Sequence, residues 1–216
     1  MQCPFSITIS YLIALSRVSR SRASALSNEH WIVCLFQCLH STTYTLLLSF
    51  LQPQLDAVNP DNAPGKVTLV IRMGAKKVRA GLPPLVEAVK AAGKNVLWIS
   101  DPVHANTVTS SDGIYKTRPF GLIMEEIRGF FEVHRTLGTH PGGVHLEMTG
   151  ESVTECLGGT VDEVTEARLS EAYTTHCDPR LNAEQALEVA FQIAEQFRED
   201  AGLPALCTSD NECGTW

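Results

Sequence analysis

The sequence predicts an α/β protein built on a parallel sheet with helical crossovers. Three observations predict it. From Asn59 onward, β-branched apolar runs alternate with segments of helical period. The runs are bounded by Gly, Pro, Asn or Asp, the residues that punctuate strands. Apolar residues make up 44% and charged residues 19% of the 216, a globular composition sized for one ordinary domain or a little more.

The elements follow in order. "PDNAP" marks a turn, and "KVTLVIRMG" (Lys66 to Gly74) predicts a buried strand. "LPPLVEAVKAAG" (Leu82 to Gly93) predicts a helix that starts at its prolines, buries Leu85, Val86 and Val89, and stops at Gly93. "NVLWISDPV" (Asn95 to Val103) is the second strand, and a loop with "SSDG" follows. Gly121 to Gly138 carries Ile123, Ile127, Phe130, Phe131 and Val133 at helical spacing. "VHLEMT" (Val144 to Thr149) is the third strand, set among six glycines between Gly138 and Gly159. Val161 to Tyr173 predicts a helix and "YTTHC" a short fourth strand. A terminal helix over Asn182 to Asp200 takes Asn182 as its N-cap, with Glu184 and Glu188 early, where the helix dipole favours acids. Four strand–helix units fit an open doubly wound sheet or part of a (β/α) barrel. No GxGxxG follows the first strand and no GxxxxGK[ST] occurs, which weakens the nucleotide-binding open sheet.

The net charge of −7 argues against a nucleic-acid surface, which needs clustered Lys and Arg. No apolar run reaches the length of a membrane helix. Seven cysteines, odd in number and without a CxxC pair, argue against a disulfide framework. Cys34 and Cys38 lack a second pair, and Cys177 is expected as a small buried hydrophobe rather than a nucleophile.

Composition divides the chain. Residues 1–55 hold three basic residues and one acid, so the acidity belongs to the remainder. Their apolar residues follow neither a helical nor a strand period. "SRVSRSRASALS" (Ser16 to Ser27) has the look of an organelle transit peptide, which would imply a plastid; a mis-predicted reading frame is the other explanation, and the location is then cytoplasmic. The expected organisation is an atypical segment over 1–55, an α/β unit over 56–200 and a tail over 201–216.

The unusual polar residues fall at strand ends: Arg72 after the first strand, Asp101 and His104 after the second, His145 and Glu147 on the third, Asp178 after the fourth. In parallel βα folds these ends converge on one face, where sites are built. His, Glu and Asp together suit a divalent metal such as Mn, Co, Fe or Zn. An arginine beside them offers a fork of donors to a carboxylate or phosphate, which points to an anionic substrate polarised at a carbonyl. Plainer roles exist: Arg72 pairing with an acid, His104 as a loop hydrogen-bonder, Asp178 as a turn residue. A glutamate inside an apolar strand is harder to dismiss, because a buried carboxylate needs a partner. "KTR" (Lys116 to Arg118) is a basic loop, either solvated or on phosphate.

"RMGAKKVRAGLPPLVEAV", "SDPVHANT", "YKTRPF", "GFFEVHRTLGTHPGGVHLEMTGESVTECLGG" and "CDPRLN" together resemble the class II (plant-type) 3-deoxy-D-arabino-heptulosonate 7-phosphate synthases, from about Asn59 to about Arg198. The resemblance implies a (β/α)₈ TIM barrel enzyme opening the shikimate pathway. Such an enzyme condenses phosphoenolpyruvate with erythrose 4-phosphate, using a divalent metal, commonly Mn or Co. Carried over by motif, His104, Glu147 and Asp178 would be metal ligands and Arg72 would hold phosphoenolpyruvate. His145, Glu151, Glu155 and Cys156 would be supporting residues. The departures matter too. About four C-terminal βα units are present where a barrel needs eight. The family's cysteine ligand and its "KVGP" and "RDEH" motifs do not occur in residues 1–58. "SDPVHAN" stands for the usual "CDPMHGN". These departures imply a partial barrel, inactive alone, that forms homo-oligomers or joins full-length synthase subunits. The alternative is a non-catalytic, synthase-derived fragment that pairs with such subunits.

Overall fold

A computed structural model describes residues 51–204 in full and the backbone of 15–18, 30–36 and 44–50. Strands β1 (Leu15–Val18), β2 (His30–Phe36), β3 (Val67–Arg72), β4 (Leu97–Ser100) and β7 (Pro141–Val144) form one sheet in the order β1-β2-β3-β4-β7. β2, β3, β4 and β7 run parallel, and β1 pairs antiparallel with β2. A small hairpin joins β5 (Val108–Thr109) to β6 (Lys116–Thr117). Among the described residues four helices accompany the sheet: α1 (Tyr44–Val58), α2 (Val78–Ala91), α3 (Phe120–Leu137) and α4 (Ala183–Asp200).

β3 shows why one face carries chemistry. Val67, Leu69 and Ile71 enter the core shared with the helices. By strand alternation Thr68, Val70 and Arg72 face the other way. On the helical side α2 and α3 pack so closely at Gly129 that a Cβ there would lie 2.6 Å from Val78 Cγ1. Phe130, Phe131, Ile123 and Ile127 are fully buried along α3. The helix stops at Gly138 (φ 62°), a left-handed position that glycine takes without cost.

Several expectations are corrected. α2 starts at Val78, one turn before the prolines, so Pro83 and Pro84 lie inside it. Neither can donate to the ladder. The helix survives because Val78, Leu82, Leu85, Val86 and Val89 form a continuous buried stripe. Gly93 does sit just past its end with φ 63°, as expected.

The third strand ends at Val144 rather than beginning there. His145 N–H still reaches Ser100 O at 2.7 Å, but from Glu147 to Thr149 the backbone pairs with Leu181 instead of β4. Glu147 therefore lies past the strand, 30% exposed, not inside it. Val161 to Tyr173 is not a helix; it holds only a 3₁₀ turn at Glu166–Arg168. Its buried anchors, Val164 and Leu169, are five residues apart and cannot share a helix face. "YTTHC" is not a strand, because Thr174 and Thr175 N–H donate to the Glu155 carboxylate instead of to a neighbouring strand. Residues 56–200 thus supply three parallel strands of the main sheet, and the fourth, β2, comes from the segment expected to be irregular. Most of Ser16–Ser27, Cys38 and the tail beyond 204 lie outside the described residues. Among the described residues no helix is long and apolar enough to cross a membrane.

Candidate metal and anion site

The site grows from Asp101, the residue after β4. It is fully buried, and its N–H is tied to Ile71 O at 2.7 Å. Its carboxylate takes Arg72 Nε at 2.6 Å and His104 Nδ1 at 2.8 and 2.9 Å. Burial opposes its charge, but His104 and then Arg72 outweigh burial and hold the carboxyl below its ordinary range. One buried carboxylate thus joins the Arg72 end of β3 to the His104 turn.

With Nδ1 committed to Asp101, His104 directs Nε2 at Glu147 Oε1, 2.9 Å away, with Asp178 Oδ2 at 4.0 Å. One donor atom each from His104, Glu147 and Asp178 lie within 4.8 Å of one another, and all three residues are half-buried. A carboxylate on the far nitrogen of an imidazole fixes its tautomer and orientation, as in metal-binding histidines. His145 stacks over the His104 ring at 6.5 Å between centroids.

The basic loop is solvated at Lys116 but not at Arg118. Arg118 is 1% exposed and donates to Glu147 Oε2 and to Pro179 O, both at 2.5 Å, and to Thr107 Oγ1 at 2.9 Å. Lys116 pairs with Asp178. That bond comes first among the causes that lower the Asp178 carboxyl, ahead of opposing burial and the helping charge of Arg118. The cluster therefore gathers three carboxylates and three cations around one histidine.

Two further buried carboxylates hold the walls. Glu126, from α3, accepts Met73 and Gly74 N–H at 2.9 and 2.8 Å and Asn106 Nδ2 at 2.7 Å. It fixes the loop after Arg72 against the turn that carries His104. Burial pushes its carboxyl up to about 7, against those three donors and with the nearby Asp101 charge. Glu155 holds the Asp178 loop; burial works against its charge, but Arg180 and the loop's N–H groups keep its carboxyl below the ordinary range.

The structure brings His104, Glu147 and Asp178 together and stands Arg72 one carboxylate away from them. Sequence reasoning left the role of Arg118 open and missed Asp101's central place, Glu126 and Arg180. The signals were faint: an arginine before "PF" at a helix start, and an acid beside the apolar stripe of α3. Cys177 is exposed, not buried, because the bend at Thr175 to Asp178 turns it outward. Cys156 is the buried thiol, pushed up to about 12 chiefly by burial.

The donor set fits a divalent ion. It offers one imidazole nitrogen and two carboxylates, with the imidazole already aimed by a second carboxylate.

Comparison with known proteins gives a matching picture. Residues 45–194 match the Class-II DAHP synthetase family, which extends the likeness upstream of Asn59 into α1. Over 145 residues the chain is 55% identical to the phospho-2-dehydro-3-deoxyheptonate aldolase AroG of Mycolicibacterium smegmatis, covering 67% of this chain and 31% of that protein. It is 50% identical to the phospho-2-dehydro-3-deoxyheptonate aldolase of Streptomyces coelicolor, again over 67% of this chain and 32% of the relative. The chain thus spans about a third of the length of these curated relatives. On this evidence the chain belongs to the Class-II DAHP synthetase family.

Proposed function

We propose that this chain carries the metal-binding part of a 3-deoxy-7-phosphoheptulonate synthase, which condenses phosphoenolpyruvate with erythrose 4-phosphate at the head of the shikimate pathway. The observation that carries the reading is the convergence of His104, Glu147 and Asp178 within 4.8 Å in a chain of this family. In this reading the sheet over residues 56–200 is part of a (β/α)₈ barrel, with the strand ends as its mouth.

His104 Nε2, Glu147 and Asp178 would hold the ion, Mn or Co being the best-suited candidates. Once bound, it supplies a Lewis acid for the aldehyde oxygen of erythrose 4-phosphate. The chain's own residues do the rest. Asp101, bonded to His104 Nδ1, would keep the imidazole proton there and leave Nε2 for the ion. Arg72, steadied through Nε, offers a planar cation to the carboxylate and phosphate of phosphoenolpyruvate. Arg118 and Lys116 balance the Glu147 and Asp178 charges, so the pocket can accept anions.

A second reading has its own support. Among the described residues β7 lies at one edge of the sheet and β1 at the other, and a sheet edge invites pairing. The 216 residues would then act by joining full-length subunits or a second copy of the chain. Phosphoenolpyruvate consumption with erythrose 4-phosphate and Mn²⁺ separates the two. No turnover by the purified chain, with turnover restored on mixing with an inactive full-length relative whose equivalent histidine is replaced, supports the synthase reading. Binding to that subunit without restored turnover supports the non-catalytic one.

A further inference from the structure

Asp178 sits in a segment with no helix or strand of its own, Thr174 to Arg180. Its placement depends on side-chain bonds, and those converge on Glu155. One Glu155 oxygen accepts Thr174 N–H at 3.1 Å, Thr175 N–H at 2.8 Å and Arg180 Nη2 at 2.7 Å. The other accepts Arg180 N–H at 2.8 Å and Nε at 3.0 Å. Arg180 Nη2 also reaches Thr174 Oγ1 at 2.8 Å, and Thr175 Oγ1 donates to Asp178 O at 2.8 Å. A fully buried carboxylate therefore grips both ends of the segment. The backbone of the same residue holds the facing wall: Thr117 Oγ1 donates to Glu155 O at 2.8 Å, between Lys116 and Arg118.

We infer that the Glu155–Arg180 pair is a positioning clamp that sets Asp178 against His104 and Glu147 and thereby sets the affinity of the cation site. The inference rests on the reading of those three as ligands. Glu155 is not a ligand itself, since its oxygens are taken by the loop it holds. A bidentate guanidinium–carboxylate pair fixes direction as well as distance, which is what a carboxylate ligand on an irregular loop needs.

The test uses the full 216-residue chain, Mn²⁺ as the probe and the loss of the free-ion EPR signal as the readout, with thermal melting of the metal-free chain in parallel. Arg180 is 29% exposed, so its replacement is gentler on folding than that of buried Glu155. Arg180→Met is expected to weaken Mn²⁺ binding about tenfold, the usual scale for losing a residue that orients a ligand. Arg180→Lys should recover part of the loss, and Glu155→Gln should weaken binding where it folds. A purely structural clamp would lower the melting temperature and leave the Mn²⁺ affinity unchanged. Unchanged affinity in Arg180→Met, with wild type binding and His104→Ala not binding, overturns the clamp and leaves the ligand reading standing. No Mn²⁺ binding by wild type, or full binding by His104→Ala, overturns the ligand reading and the clamp with it.

Discussion

Replacing Asp101 by asparagine tests how the site is held together. The carboxylate forms an ion pair with Arg72 at 2.6 Å and a hydrogen bond with His104 Nδ1 at 2.8 Å, in full burial. An amide is neutral and has one acceptor oxygen, so its NH₂ must confront either the Arg72 guanidinium or His104 Nδ1–H. If it confronts His104, the imidazole relieves the clash by moving its proton to Nε2. That proton then lies on the nitrogen facing Glu147, 2.9 Å away, where the ion should bind. Mn²⁺ affinity should fall by about 10- to 100-fold, the range for lost outer partners of metal-binding histidines. Removing one member of a buried ion pair costs about 3–5 kcal/mol. Here Arg72 is 17% exposed and water recovers part of its solvation, so about 2–3 kcal/mol is expected. Isothermal titration with Mn²⁺ reads the first effect and urea unfolding the second. An Asp101→Asn chain that binds Mn²⁺ as tightly as wild type would refute the claim that this carboxylate aims His104.

Other predictions concern the frame. His134 is fully buried, its Nδ1 is bonded to Thr139 Oγ1 at 2.7 Å, and burial pulls its imidazole down to about 4. The unfolded chain protonates this residue near pH 6.5, so its contribution is fully present above that and is lost as pH falls towards 4. The loss is about 3 kcal/mol. The stability of wild type relative to His134→Phe should therefore fall across that window in urea titrations, and a flat difference would count against it. Gly142→Ala should destabilise by about 1–3 kcal/mol in the same assay, the scale of an overpacked contact. Its Cβ would lie 2.4 Å from Leu97 Cδ1 and 2.6 Å from Trp98 O, a backbone atom held in the sheet. A neutral result would mean that β7 and β4 can separate without cost.

The legible parts of the sequence were those fixed by local pattern. The stripe of α3, the Asn182 cap of α4 and the β-branched run of β3 all declare themselves within a few residues. Strand-end placement put Arg72 at the end of β3 and His104 just after β4 for the same reason, but Glu147 lies past β7 and Asp178 follows no strand. The rest depends on contacts distant in sequence. Val161 to Tyr173 has helix-forming residues, yet Arg168 spends its guanidinium on Asp162, Glu163 and Glu171 to pin a loop. "YTTHC" has strand-like threonines, yet their N–H groups answer Glu155, about twenty residues away. For Arg118 the sequence left surface and phosphate contact equally open, because nothing local says that Glu147, 29 residues on, will fold over it. Glycine showed the same split: Gly138 as a helix stop was readable, but the close approach of Gly142 to β4 was not.

The most direct measurement is a Co²⁺ titration of the 216-residue chain followed by its visible absorption, whose bands report the ligand set. The prediction is one ion per chain with nitrogen and oxygen ligation, abolished by His104→Ala and strongly weakened by Glu147→Gln and by Asp178→Asn. Binding that survives all three replacements, or no binding by the wild-type chain, would contradict a metal site at His104, Glu147 and Asp178.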